Sequence, residues 1–383
     1  MPFRKDCPTF AAEFIITHIM KKFFSVFLLS TLISATAFAE SKEDQEKKEK
    51  GFYTPQVFGV VKAKLEYAPD NSEYRFNVRS SRLGVRGNVA KNLKYSSQIE
   101  LNLEGKLVVF DAFAVFTPFK FVEFSLGQQL TRFSTEVGSG PGVSNFANRS
   151  FLAKFIGNYY WSEEVDGKVK YGFGSLNARD IGLNTTFRYN LGVPATTLIG
   201  LMNGSGQNNP VWSKSVNMTF RQEFGTNKGF KVAGSYYVGK FNNMHDISIW
   251  DIEMRYAKNN ILIESEFAQR KQTSFETQTS NAWVIQGNYR FKLPENKIAK
   301  YILPVLRYDL GHNITFKNDE TGKYDAKNLS RITFGGNLRL TEKPCQAEIR
   351  LQYEHYMGNH KPSDYAINQL FHDKLTLEVV ASF

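Results

Sequence analysis

The amino-acid sequence predicts an all-β fold, a 16-stranded antiparallel transmembrane β-barrel with a long third loop folding into the lumen. Three observations lead there. Segments of roughly 10 to 12 residues alternate oily and charged positions, the period and length of a tilted membrane-crossing strand. The connections between them are mostly short at one end and mostly longer at the other. The chain also carries an export signal near its start. Its 33 Phe and 18 Tyr suit strands better than helices.

From Met20 the sequence reads MKKFFSVFLLSTLISATAFAE. A basic start (Lys21, Lys22), an apolar run from Phe23 to Ile33 and the small-x-small ending Ala37-Phe38-Ala39 describe a cleaved signal peptide. Met20 is a natural initiator, so residues 1–39 comprise an upstream extension plus that signal. A retained membrane-anchoring helix is the alternative, and the apolar run is short for one. Residues 40–54 open with the charged run ESKEDQEKKEK and read as a solvated periplasmic lead-in to a barrel over residues 55–383. Cleavage removes Cys7, leaving Cys345 alone and no internal disulfide. The full chain carries a formal charge of +11. Its Lys and Arg residues are spread singly through alternating strands, which argues against nucleic acid as a partner.

Strand material begins at Val57, with Val57, Gly59, Val61, Ala63, Leu65 and Tyr67 outward and Lys62, Lys64 and Glu66 inward. The next segment, Tyr74 to Val89, slips in parity, since Phe76 and Val78 do not share a face with Leu83 and Val85. A bulge near Ser80-Ser81 accounts for the slip. Short connections are expected at 90–92, 117–119, 190–193, 225–228, 258–260 and 341–344, with a longer one at 292–299. The opposite end holds 68–73, a tight turn at 104–106, 130–178, 203–211, 240–246, 271–279, 312–327 and 358–372. In the final strand Leu375, Leu377, Val379, Ala381 and Phe383 oppose Lys374, Thr376, Glu378 and Ser382. An aromatic C-terminus of this kind resembles the closing strand of bacterial outer-membrane barrels. Tyr67, Tyr189, Tyr256, Tyr289, Tyr353 and Phe383, all near strand ends, suit interfacial aromatic girdles.

The charged face argues for a wet interior, because unpaired charges in a packed core are costly. On this assignment Arg331, Arg339, Arg350, Lys374, Lys62, Lys64, Arg82 and Arg86 gather on one inner wall across the closure. Asp251, Glu253, Glu264 and Glu266 lie roughly opposite, so a transverse field across the pore is expected. The long connection 130–178 is the main functional candidate, since loops of that length usually do something.

Consecutive segments GQQLTRFSTE (127–136), FANRS (146–150), ARDIGL (178–183) and NGSGQN (203–208), with RSSRLGVRG (79–87) before them, resemble landmarks of the phosphate-selective porin O/P family. Gln129-Leu130 stands where that family often has Phe-Lys, and Arg132 where Pro is common. The resemblance implies a 16-stranded outer-membrane barrel, usually a homotrimer, with inward arginines and a third loop that constricts the pore. The expected function is passive diffusion of small anionic solutes, phosphate among the candidates, in a bacterial outer membrane. Arg82, Arg86, Arg132, Arg149, Lys154, Arg188, Arg331, Arg339 and Arg350 are the expected channel-lining, anion-binding residues.

A general or sugar porin differs only in solute. A barrel enzyme or surface-binding barrel is the rival class, but His245, His312, His355, His360 and His372 fall in or beside long loops, with no Ser/His pair in a hydrolase setting. His355, His360 and His372 in the last loop read as solvated rather than metal-binding. No cofactor is expected.

Overall fold

The computed structural model describes residues 52–101, 107–139, 144–165, 168–175, 179–241, 245–273, 277–294, 298–317, 324–342, 344–357 and 373–383. The chain divides into residues 1–53 and a unit over residues 54–383. The extension, the signal peptide and the charged run of the lead-in lie outside the described residues, as do His360, His372 and the 104–106 turn.

Alternation becomes strands β1 (Gln56–Ala68), β2 (Glu73–Ala90), β3 (Leu93–Leu101), β4 (Leu107–Phe119) and β5 (Val122–Leu130). A hairpin of β6 (Asn158–Val165) and β7 (Lys168–Ser175) follows. The wall resumes with β8 (Arg179–Asn190), β9 (Pro194–Met202), β10 (Asn217–Gly225), β11 (Phe230–Phe241), β12 (His245–Lys258), β13 (Ile261–Thr273) and β14 (Thr277–Tyr289). Then come β15 (Phe291–Lys292), β16 (Tyr301–Lys317), β17 (Tyr324–Thr341), β18 (Gln346–Met357) and β19 (Lys374–Ser382). Wall neighbours are antiparallel, β5 pairs β8 across the separate hairpin, and β15 continues β14 along β16. Because β1 pairs both β2 and β19, the sheet closes into a 16-strand barrel with no free edge.

At the seam Gly59 donates its N–H to the Phe383 carbonyl at 2.9 Å and accepts from the Phe383 N–H at 3.1 Å. A Cβ on Gly59 would sit 2.6 Å from the Phe383 ring, so only glycine lets the last aromatic lie across the first strand. The outer face is apolar and open: Leu375, Leu377 and Val379 are exposed while Thr376 and Glu378 are fully buried on the inner face. No helix among the described residues is long and apolar enough to cross a membrane.

The slip in the second segment is a bulge, with Lys62 opposite Ser80 and Ala63 opposite Val78, which leaves Arg79 as the extra residue. The turn expected at 117–119 falls instead after Phe119. Pro118 has no N–H to give the ladder, and the pairing skips from Phe116 to Phe119 there. Several strands run further into the long connections than expected: β13 to Thr273, β14 from Thr277, β16 to Lys317 and β17 from Tyr324. The β13 and β14 extensions, Lys271-Gln272-Thr273 and Thr277-Gln278-Thr279, are polar throughout, so no oily stripe marks them. Residues 212–216, expected in β10, belong to the connection before it.

Candidate functional site

The connection from β5 to β8 starts and ends where the sequence placed it, but it is not structureless. It leaves β5 through two non-glycine residues at positive φ, Arg132 (56°) and Ser134 (61°). Such conformations cost about 1–3 kcal/mol each and persist only where surroundings impose them. The wall does so here. Ser134 Oγ donates to Glu266 and accepts the Val137 N–H, capping the short helix α1 (Thr135–Gly138). The N–H groups of Thr135 and Glu136 donate to Glu253 and Glu266, each at 3.0 Å.

Residues 144–156 then lie against the inner side of β13 and β16 to β18. Irregular backbone held away from water must find donors for its carbonyls. Arginines supply them: Arg350 donates to Ser144 O at 2.8 Å, Arg307 to Asn148 O at 2.9 Å, Arg331 to Arg149 O at 2.7 Å and Arg270 to Phe155 O. Asn337 and Gln352 both donate to Asn145 O. Loop aromatics cover the same guanidinium groups, with Arg307 4.4 Å from the Phe146 ring and Arg331 4.7 Å from the Phe151 ring. Three apolar clusters complete the docking. Phe133, Val137, Leu152 and Ile156 pack on Tyr237, Ile247, Ile249 and Val284, Phe151 and Phe155 on Ile314 and Leu329, and Phe146 on Leu303 and Val305. The wet interior inferred from charge alternation is therefore dry wherever this segment covers the wall.

Two expected solute-facing residues need correction. Arg331 and Arg350 are inward but only 2% exposed, tied to Asp309, Glu354, Glu348 and Glu378 and to the loop carbonyls. A guanidinium has five donors, and here they are spent on structure. Three of the four acids expected to face them across open water are also covered, Asp251, Glu253 and Glu266 at 4%, 6% and 3% exposure, while Glu264 is half-buried. Among the described residues nine acidic and nine basic side chains are buried, so the covered charge cancels. Any net field in the lumen arises from what remains uncovered.

The uncovered groups are mostly cationic. Arg82 is half-buried, bound to Glu100 at 2.9 Å, and shares the Phe110 ring with Arg179, at 3.8 and 3.7 Å from its centroid. Arg149 and Lys154 are half-buried on the loop, and Arg132 is exposed at its start. Arg86, exposed beside Gln56, Arg188, paired to Glu123 at 3.3 Å, and Arg339, paired to Glu348, stand toward the short-turn end. Sequence reasoning passed over Arg79. Its charge bears on Lys62, Lys64, Arg149 and Lys154, and no described residue pairs with it. The parity slip was the signal that could have found it, because the extra residue of a bulge is re-aimed.

On the loop, burial lowers Lys154 to about 7, with Lys374 and Arg331 adding repulsion. Burial, then Arg79, lowers Arg149 to about 10. Burial pushes the Glu136 carboxyl up, although it accepts from Ser150 at 2.6 Å and Gln286 at 2.7 Å. His355 is exposed on the outer face, 2.7 Å from Asp373, which is held low against its burial by bonds from His355, the Tyr356 N–H and Tyr353. It does not face the lumen groups.

The sequence profile of the phosphate-selective porin O and P family matches residues 58–326. No curated protein matches the sequence. Among solved structures, the chain is similar to the anion-selective porin of Comamonas acidovorans, with 12% identity, a TM-score of 0.55 and coverage of 86% of this chain and 98% of that one. Salmonella typhi OmpF, solved in complex with daunomycin, gives 13% identity, a TM-score of 0.56 and coverage of 87% and 98%. The outer-membrane channel DcaP of Acinetobacter baumannii gives 12%, 0.51, and 90% and 100%. At these identities the likeness is one of fold.

Proposed function

This chain belongs to the phosphate-selective porin O and P family, and from that premise we propose that it passes small anionic solutes, phosphate among them, across the bacterial outer membrane by electrostatic selection. The family and the fold are those of a channel, and the selection requires no covalent step. The oily outer face meets lipid and the uncovered part of the inner face meets water. The long-loop end lies outside the cell and the short turns face the periplasm, as in other barrels of this class.

One observation carries the anion preference: buried charges are matched in sign, whereas the uncovered inward groups beside the loop are mainly basic. Arg79, Arg82, Arg149, Lys154 and Lys374 form a cationic lane along the loop edge. A wall of one sign between low-dielectric surfaces raises the local concentration of the opposite ion. The docked residues 133–139 and 144–157 narrow the lumen and force solutes onto this lane. Arg132 extends it outward, and Arg86, Arg188 and Arg339 extend it toward the periplasm. Arg331 and Arg350 act indirectly, by holding the loop. The anion-selective porin with the same fold supports this reading, and the family implies a homotrimer.

Purified protein in a planar bilayer under a salt gradient tests it. A reversal potential of anion-selective sign, with chloride current reduced by added phosphate, is expected. A cation-selective potential contradicts the proposal, and anion selectivity without phosphate competition limits it to anions in general.

A further inference from the structure

Beneath α1, the inner wall of β12 and β13 brings Asp251, Glu253 and Glu266 together, with a carboxylate oxygen of each within 4.8 Å of the other two. All three are at least nine-tenths buried. Loop docking uses Glu253 and Glu266, but Asp251 is different. No described cation forms an ion pair with it, and its carboxylate meets only the Ser235 hydroxyl and N–H, neither in good hydrogen-bond geometry. A buried ionised carboxylate without a partner costs several kcal/mol in proteins, on the order of the penalty for one ion. Asp251 lies beside two further carboxylates, so ionising it here calls for a cation.

The nearby charges compensate only in part, because Arg221, which acts on Asp251 by charge, is shared. Arg221 is 2.5 Å and Lys231 3.5 Å from Glu253, and the same two cations also serve Glu223. Glu136 adds a further negative charge against Glu266. Acids therefore outnumber bases around Asp251.

Lone-pair counting shows where capacity remains. Glu253 Oε1 accepts from Arg221 and Thr135 Oγ1, and its Oε2 only from the Thr135 N–H. Each oxygen of Glu266 accepts one bond, from Ser134 Oγ and from the Glu136 N–H. Both Asp251 oxygens have capacity left, with only Ser235 near them. Next to Glu253 and Glu266 is a cavity of about 20 Å³ lined also by Glu264, Lys231 and Arg255 but not by Asp251, room for one ion or water beside the three carboxylates.

We propose that Asp251, Glu266 and Glu253 Oε2 bind one hard divalent cation, which fastens the start of the loop to the wall. An all-oxygen carboxylate set selects calcium or magnesium over softer metals. Calcium–oxygen distances of about 2.3–2.6 Å allow ligand oxygens nearly 5 Å apart, whereas magnesium at about 2.0–2.1 Å needs them closer. Calcium is accommodated across that whole range, magnesium only at its closer end. The ion would hold the same carboxylates that receive Ser134, Thr135 and Glu136, so binding and loop docking would be linked.

The test uses the full folded protein in detergent after chelator treatment, with terbium as a luminescent calcium substitute. About one terbium per chain should bind and be displaced by calcium, and calcium should raise the unfolding temperature by several degrees. In Asp251→Asn both effects should be lost while the barrel stays folded. Ions on the outer surface would bind wild type and variant alike, so equal terbium binding by the two overturns the proposal. If the variant fails to fold, wild type decides alone: binding of less than one displaceable ion per chain, or an unchanged unfolding temperature, also overturns it. These readouts do not depend on which solute the channel passes.

Discussion

The wall of β16 to β18 and the bulged stretch of β2 carry the same residue type on the same face, yet the loop treats them oppositely. Arg307, Arg331 and Arg350 lie under it at 1–2% exposure, held by carboxylates and feeding loop carbonyls. Arg79 and Arg82 stand beside it, half-buried, and no described residue pairs with Arg79. Position on an inner face does not decide whether an arginine meets solute. What decides it is whether irregular backbone nearby needs its donors.

The sharpest way to break this contrast is to remove charge from the covered wall. Asp309 takes Arg307 at 2.9 Å and Arg331 at 2.8 Å and also accepts the Phe151 N–H at 3.1 Å. Asp309→Asn leaves two guanidinium groups undercompensated away from water, which should cost about 3–5 kcal/mol. Denaturant unfolding of the detergent-solubilised protein should show a clearly lowered midpoint. A loss under about 1 kcal/mol would mean the covered wall is not the anchor.

The open side should respond in the reverse manner. Arg79→Ala breaks no hydrogen bond or ion pair to a described residue, so stability should stay within about 0.5 kcal/mol, while the ratio of anion to cation permeability falls severalfold. Unfolding and reversal-potential measurements on one preparation check both halves.

A third test sharpens the contrast through pH. Lys154 sits near 7 because burial disfavours its charge, with Lys374, Arg331 and Arg79 repelling it and Glu354 opposing them; the Phe155 ring lies 5.0 Å away. Its pKa is lowered, so the amine is protonated below about 7 and neutral above it. Anion preference should therefore rise as pH falls from 8 to 6, and Lys154→Met should flatten that rise. The smallest effect is expected at Arg188, whose half-exposed pair with Glu123 sits near the periplasmic rim. Arg188→Gln should change stability by less than about 1 kcal/mol and selectivity hardly at all.

The barrel was legible because a two-residue period is written directly in the chain. Thr376 and Glu378 are buried between exposed Leu375, Leu377 and Val379, as alternation requires. The parity slip between Phe76 and Leu83 even announced the bulge at Arg79. Accessibility was not legible, because it is set by contacts between residues far apart in sequence. Nothing local to Arg350 says that Ser144 and Phe146 will use its donors. The dry patch of Ile247, Ile249 and Val284 was likewise hidden, since inward apolar residues look misplaced until Phe133, Leu152 and Ile156 pack on them. The loop's two reversals at Arg132 and Ser134 rest on carboxylates more than a hundred residues away, which no local propensity encodes.

The most direct test compares zero-current potentials of wild type and an Arg79→Ala, Arg149→Ala double variant across the same potassium chloride gradient. An anion-selective potential in wild type that collapses toward zero in the variant, with the barrel still folded, is the predicted result. A potential of cationic sign in wild type, or an anionic one that the double variant keeps unchanged, would contradict the account.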